Sequence, residues 1–161
     1  DPEPAKVEFD HVLPFGGSFD SNMKEKTDGA APVVVLFFPL AFSGVCTEEL
    51  CGIRDDWSAW TDLEAKVFGV SVDSPFVVSK FRAIENLPFS LLSDFHKVVA
   101  PEWGAFYEEE FFGLNGVAKR AAFVVGTDGK IVYEWVSEDA GVQPDLAAVK
   151  AAVASCSTTS S

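Results

Sequence analysis

The stretch Val33-Val-Val-Leu-Phe-Phe38-Pro39-Leu-Ala-Phe-Ser43-Gly-Val-Cys46-Thr-Glu-Glu49-Leu-Cys51 decides how the rest of the chain is read. Its first six residues are an uninterrupted apolar run, as expected of a strand buried on both faces. From Cys46 the apolar residues Cys46, Leu50, Ile53, Trp57 and Trp60 recur in steps of four, three, four and three, one face of a helix. A cysteine therefore stands at a strand-to-helix junction, at the start of the inward face. Unpaired N–H groups and the positive end of the helix dipole favour negative charge there, and so favour a thiolate.

The 161 residues suit one domain, read as 1–161, with a core large enough to be self-sufficient. Apolar residues make up 48% of the chain, including 15 Phe and 4 Trp, and the longest apolar runs are far too short to span a bilayer. The 25 acids against 12 bases are scattered, giving a net charge of −13. Such a surface repels nucleic acid and anionic membranes, which argues against both as partners. Three cysteines, Cys46, Cys51 and Cys156, are too few and odd in number for a disulfide scaffold. The opening Asp1-Pro-Glu-Pro-Ala-Lys6 has no apolar signal segment. Together these features favour a reducing, cytoplasmic setting.

Residues 1–31 read as turns and short extended pieces around Pro2, Pro4, Pro14, Gly16 and Gly17. After the strand at 33–38, the Cys46 helix is expected to run to about Trp60 or Asp62. A second strand follows at 65–72, then a helix at 75–84 with Ser74 as cap and Pro75 in its first turn. This strand–helix alternation predicts a parallel sheet covered by helices. Residues 87–92 are ambiguous, 95–103 suggest a short helix or turn broken near Pro101, and 108–116 read as a loop whose Phe111 and Phe112 either cover a pocket or simply pack. Residues 120–125 and 130–135, joined through Asp128-Gly129, predict a hairpin. A last helix is expected over 144–153, and the polar stretch 155–161, with Cys156, is expected to be a frayed tail.

A thiol of ordinary pKa is mostly protonated at neutral pH, so a working Cys46 needs a cation as well as a helix end. The chain has three arginines, Arg54, Arg82 and Arg120. Arg120, opening the hairpin, can reach the same rim of the sheet, although exposure statistics alone make it a surface cation. Glu49 lies three residues after Cys46; alone it opposes a thiolate, paired with Arg120 it orients the guanidinium, and otherwise it is a solvated first-turn acid. Ser43 is a helix cap or a loop hydroxyl, and Pro39 a strand terminator, unless the group acts together.

Taken together, Pro39-x-x-x-Ser43-x-x-Cys46 resembles the active-site signature of peroxiredoxins. The following Cys-Thr-x-Glu, the Leu91-Leu-Ser-Asp94 segment and Arg120-x-x-Phe-Val-Val125 keep the peroxiredoxin order over roughly residues 33–135, and the wording around Cys46 is similar to the alkyl hydroperoxide reductase E-like and bacterioferritin comigratory protein-like branch. The resemblance implies an α/β, thioredoxin-like fold: a central mixed sheet flanked by helices, with an N-terminal β extension. It implies a thiol-dependent peroxidase acting on hydrogen peroxide or organic hydroperoxides. Cys46 would be the peroxidatic cysteine and Ser43 would hydrogen-bond the peroxide. Pro39 would shield the site, Arg120 stabilise charge, and Glu49 hold Arg120. Ser43 stands where Thr is commoner, keeping the hydroxyl but losing a methyl that stiffens the rotamer. No cofactor is implied; the partners are a peroxide and a thioredoxin-like or small-thiol reductant, with a homodimer as the assembly.

Cys51 resembles the resolving cysteine of peroxiredoxins that carry it five residues on in the same helix. On an α-helix that spacing puts the Cα atoms roughly 8 to 9 Å apart, beyond the about 7 Å a disulfide tolerates. The first turns must therefore unwind before Cys46 and Cys51 join. Otherwise Cys51 is a small buried apolar residue. Cys156 is incidental, or less readily a resolving thiol from a second chain. Two competing readings remain: a thiol-disulfide oxidoreductase, disfavoured because Cys-x-x-Cys is missing, and a zinc-stabilised module, for which His11 and His96 are poorly spaced from the cysteines.

The acid excess reads equally as ordinary solubility or as adaptation to high salt, where self-repulsion is screened. Melting in low and in molar KCl separates the two. A Tm that climbs with salt marks an adapted surface, and an unchanged one marks plain solubility.

Overall fold

Strand β2 (Val33–Phe37) is central because nothing in it is polar: all five residues are buried. Its alternation divides the interior. Val34, Leu36 and the following Phe38 enter one cluster, with Cys46, Leu50, Ile53, Trp60, Val78, Phe81, Val149 and Val153. Val33, Val35 and Phe37 enter a second on the opposite face, with Val99, Ala100, Ala105 and Phe123. The structure, a computed structural model, describes residues 13–14, 31–97, 99–109, 111, 113–127 and 130–158.

The remaining elements, in chain order, are β1 (Leu13–Pro14), α1 (Gly44–Asp55), α2 (Trp57–Asp62), β3 (Lys66–Ser71), α3 (Pro75–Glu85), β4 (Ser90–Ser93), α4 (Val99–Glu102), β5 (Ala121–Val125), β6 (Ile131–Val136) and α5 (Leu146–Thr158). Among the described residues the sheet runs β1-β4-β3-β2-β5-β6. β2 pairs parallel with β3 and antiparallel with β5, in the register Phe37 to Ala121, which brings the end of β2 beside Arg120. β3 and β4 are parallel, while β5 and β6 form the antiparallel hairpin. The mixed sheet with flanking helices is the fold expected, and Leu13–Pro14, antiparallel on β4, supplies the N-terminal β extension. The Asp128-Gly129 turn, Phe112 and the other N-terminal pieces lie outside the described residues.

Four expectations change. The long helix is two, because Asp56 leaves helical geometry at φ −110°, ψ 25°; Trp60 still reaches the core from α2. Residues 87–92 resolve into β4, displaced toward Ser93. Pro101 sits inside α4, within its first turn, where its missing N–H breaks no helical bond. Helix α5 continues to Thr158, so Cys156 lies on it, buried against the first cluster, instead of in a polar tail. The α3 start matches expectation: Ser74 Oγ accepts the Val77 N–H at 3.2 Å, and Pro75 opens the helix. Among the described residues no helix is long and apolar enough to cross a membrane.

Candidate active site

The β2 ladder ends where proline removes the next donor. Phe38 N–H makes the last bond, to Val70 O at 3.0 Å, and Pro39 follows, buried. The chain then turns sharply. Phe42 holds a left-handed φ of 68°, an uncommon conformation for a large side chain, with its ring 4.8 Å from that of Phe81 on α3. The Ala41 N–H donates to Asp73 Oδ2 at 2.7 Å, and Asp73 is itself fixed by Ser71 Oγ, which donates to the same oxygen at 2.7 Å. This latch ties the turn to the end of β3. Asp73 was not singled out from sequence, because its partner is a backbone amide 32 residues away.

Ser43 occupies the N-cap position of α1 with extended backbone, but its side chain caps nothing. Its Oγ donates to Leu40 O at 2.8 Å, and its carbonyl accepts from Thr47 N–H at 2.9 Å and Thr47 Oγ1 at 2.7 Å. Cys46 is the third residue of α1 and has no exposed surface. Arg120 crosses from the sheet to meet it. Its Nη2 donates to Cys46 Sγ at 3.2 Å, Nη1 to Glu49 Oε1 at 3.1 Å, and Nε to Ala140 O at 3.0 Å. Arg120 and Glu49 are each 1% exposed, so neither the surface cation nor the solvated acid describes them.

Burial works against charge on Arg120, but the attraction of Cys46 and Glu49 outweighs it and its pKa is raised. Glu49 is the costly member. Burial pushes its carboxyl up to about 7, against the opposing charge and hydrogen bond of Arg120, and its Oε2 has no hydrogen-bond partner. Cys51 stands apart from this cluster. It is half-buried, and its thiol donates to Glu85 Oε2 at 3.3 Å. None of the three cysteines is in a disulfide, and α1 is continuous past both Cys46 and Cys51. His96 is exposed against the Phe95 ring, and His11 lies outside the described residues.

A cavity of about 570 Å³ opens above the cluster. Pro39, Ser43 and Arg120 form part of its wall; Tyr107, Phe111 and Leu114 form an apolar side, and Glu138 and Asp139 an acidic one. Cys46 does not line it. Arg120, which lines the cavity, is also hydrogen-bonded to the enclosed sulfur. Tyr107 stacks on Phe111 at 4.9 Å and has no motif to announce it.

A carboxyl held above its unfolded pKa binds its proton more tightly in the folded state. Stability is therefore lost as pH rises from 4.5 to about 7, by about 3 kcal/mol. Glu49→Gln keeps the acceptor for Arg120 and removes this dependence. In urea unfolding, the variant's stability relative to wild type is expected to grow by up to about 3 kcal/mol between pH 5 and pH 8. A difference that stays constant with pH contradicts the assignment.

A model of the AhpC/TSA family matches residues 18–134. Peroxiredoxin Bcp of Escherichia coli is 37% identical over 103 residues, 63% of this chain and 65% of that protein. Peroxiredoxin Bcp of Bacillus subtilis is 32% identical over 104 residues, 64% of this chain and 66% of that protein. The match thus spans just under two thirds of these relatives' length. Among solved structures, peroxidoxin BcpB of Mycobacterium tuberculosis is 26% identical, with a TM-score of 0.73 over 99% of this chain and 98% of that one. The reduced 2-Cys peroxiredoxin of Plasmodium vivax shares the fold at 20% identity, with a TM-score of 0.71 over 80% of this chain and 67% of that one. On its sequence match and its thioredoxin-like fold, the chain belongs to the AhpC/TSA family of peroxiredoxins.

Proposed function

We propose that the chain is a thiol-dependent peroxidase that reduces hydrogen peroxide or organic hydroperoxides at Cys46. The observation that carries this reading is the 3.2 Å bond from Arg120 Nη2 to Cys46 Sγ at the start of α1. The guanidinium donates directly to the sulfur that acts as the nucleophile. In the reaction Cys46 Sγ attacks one peroxide oxygen and the O–O bond breaks. The sulfur becomes a sulfenic acid, and the departing hydroxide or alkoxide takes up a proton. Arg120 is the donor available to the charge that develops. The Ser43 hydroxyl, donating to Leu40 O, offers its lone pairs to a peroxide O–H. Because Cys46 is enclosed, the substrate enters by displacing part of the Pro39–Ser43 wall.

Cys51 then resolves the sulfenic acid through an intramolecular disulfide, which a thioredoxin-like or small-thiol donor reduces. That step requires the first turns of α1 to come apart. The missing Cys-x-x-Cys continues to disfavour a thiol-disulfide oxidoreductase. Three cysteines, too few and odd in number for a disulfide scaffold, suit a reducing, cytoplasmic setting. A homodimer would draw on the exposed Phe76 and Val77 of α3 and on Phe42, which packs against that helix.

Three variants test the reading. Cys46→Ser abolishes peroxide consumption; an equal rate ends the peroxidase assignment. Arg120→Lys keeps the charge but loses the fork, and kcat/KM for peroxide falls on the order of 10²-fold. Gly52, exposed within α1 with open space around it, accepts Ala without clash. That substitution stabilises the helix by about 1 kcal/mol and slows disulfide formation up to about fivefold, read as longer-lived sulfenic acid after one equivalent of peroxide.

A further inference from the structure

Cys51 faces a different part of the fold from Cys46, whose partner Arg120 comes from the sheet. Its Sγ lies 3.3 Å from Oε2 of Glu85, the last residue of α3. The same residue holds the next turn of α1: Arg54 Nη1 donates to the Glu85 backbone oxygen at 2.6 Å and lies 3.8 Å from Oε2. Arg54 Nε is taken by Asp55 at 2.9 Å. Arg120 thus fastens the Cys46 half of helix α1, and Glu85 the Cys51 half. When the first turns unwind, the Glu85 attachment is the one that can persist.

The charged groups facing Cys51 are Glu85 from α3 and Arg54 and Asp55 from α1. Burial first, then the hydrogen bond to Glu85, pushes the thiol up, with Arg54 pulling the other way. Before turnover Cys51 is therefore a neutral thiol and a weak nucleophile. Attack on a sulfenic acid needs somewhere for its proton to go, and the carboxylate already accepting that S–H is in place.

Resting on the reading of Cys51 as the resolving thiol, we propose that the Glu85 carboxylate is the base of the resolution step. As the Cys51 sulfur bonds to the Cys46 sulfur, the Cys46 S–O bond breaks and the thiol proton passes to Glu85 Oε2. The leaving hydroxide then takes that proton and departs as water. Cys51 is oxidised, the Cys46 sulfur is reduced, and Glu85 ends as a carboxylate. No further reductant or oxidant enters.

The test is a single turnover with one equivalent of hydrogen peroxide, quenched with dimedone and N-ethylmaleimide and read by peptide mass spectrometry. In the unaltered protein the Cys46–Cys51 disulfide should form at a rate nearly independent of pH between 6 and 8. A tenfold rise per pH unit there means the thiolate is made by solvent and overturns the proposal without any variant. Glu85→Gln, a neutral isostere, should slow disulfide formation on the order of 10²-fold at pH 7, introduce that tenfold rise, and leave sulfenic acid trappable by dimedone. Glu85→Asp should recover most of the rate. A Glu85→Gln rate equal to wild type, or a loss that does not change with pH, removes Glu85 as the base. If the unaltered protein yields no Cys46–Cys51 disulfide, the resolving role of Cys51 falls first and this proposal with it; a normal disulfide with an unaffected Glu85→Gln variant refutes Glu85 alone.

Discussion

A guanidinium with 1% of its surface exposed must find its partners inside the protein, and Arg120 finds three in two separate segments. Glu49 and Cys46 come from α1, and the Ala140 carbonyl comes from the segment after β6. Because a buried cation without partners is so costly, these groups fix the orientation of α1 against the sheet as much as they serve a thiol. The cost is carried by Glu49. One of its oxygens is unpaired and its carboxyl is driven up to about 7, so the pair gives alignment at the expense of stability near neutral pH.

Helix α1 joins two chemically distinct neighbourhoods. Its first turn lies in the Arg120 cluster under the cavity wall, and its later turns face the end of α3 through Cys51 and Arg54. Between the first cysteine and the break at Asp56 lies Gly52, a residue that weakens a helix by about 1 kcal/mol relative to Ala. A short helix with a weak interior, held at its two ends by different partners, is suited to losing one end while keeping the other. The preceding turn is also held at both sides, by the Asp73 carboxylate on Ala41 and by the Phe42 ring on Phe81.

Above the cluster the cavity combines an aromatic wall with an acidic rim, and the sulfur lies behind it. Pro39 and Ser43, both from the motif, form part of the cavity's wall, so one turn supplies both.

The sequence by itself determined the elements with strong periodicity: the buried strand at 33–37, the inward face Cys46, Leu50 and Ile53, the Ser74-Pro75 helix start, and the hairpin after Arg120. It also determined the candidate set around Cys46, because a motif of fixed spacing lies within one strand–turn–helix unit. Local patterns could not show the break at Asp56, whose backbone alone departs from helix, nor that α5 continues into the small polar stretch from Ser155 and buries Cys156. Only the tertiary structure decided which partners meet. Arg120 reaches Cys46 across 74 residues because β5 pairs beside β2, and Glu85 reaches Cys51 across 34 because α3 ends against α1. Hydrogen bonds of that sequence separation depend on sheet register and helix packing, which no local spacing encodes.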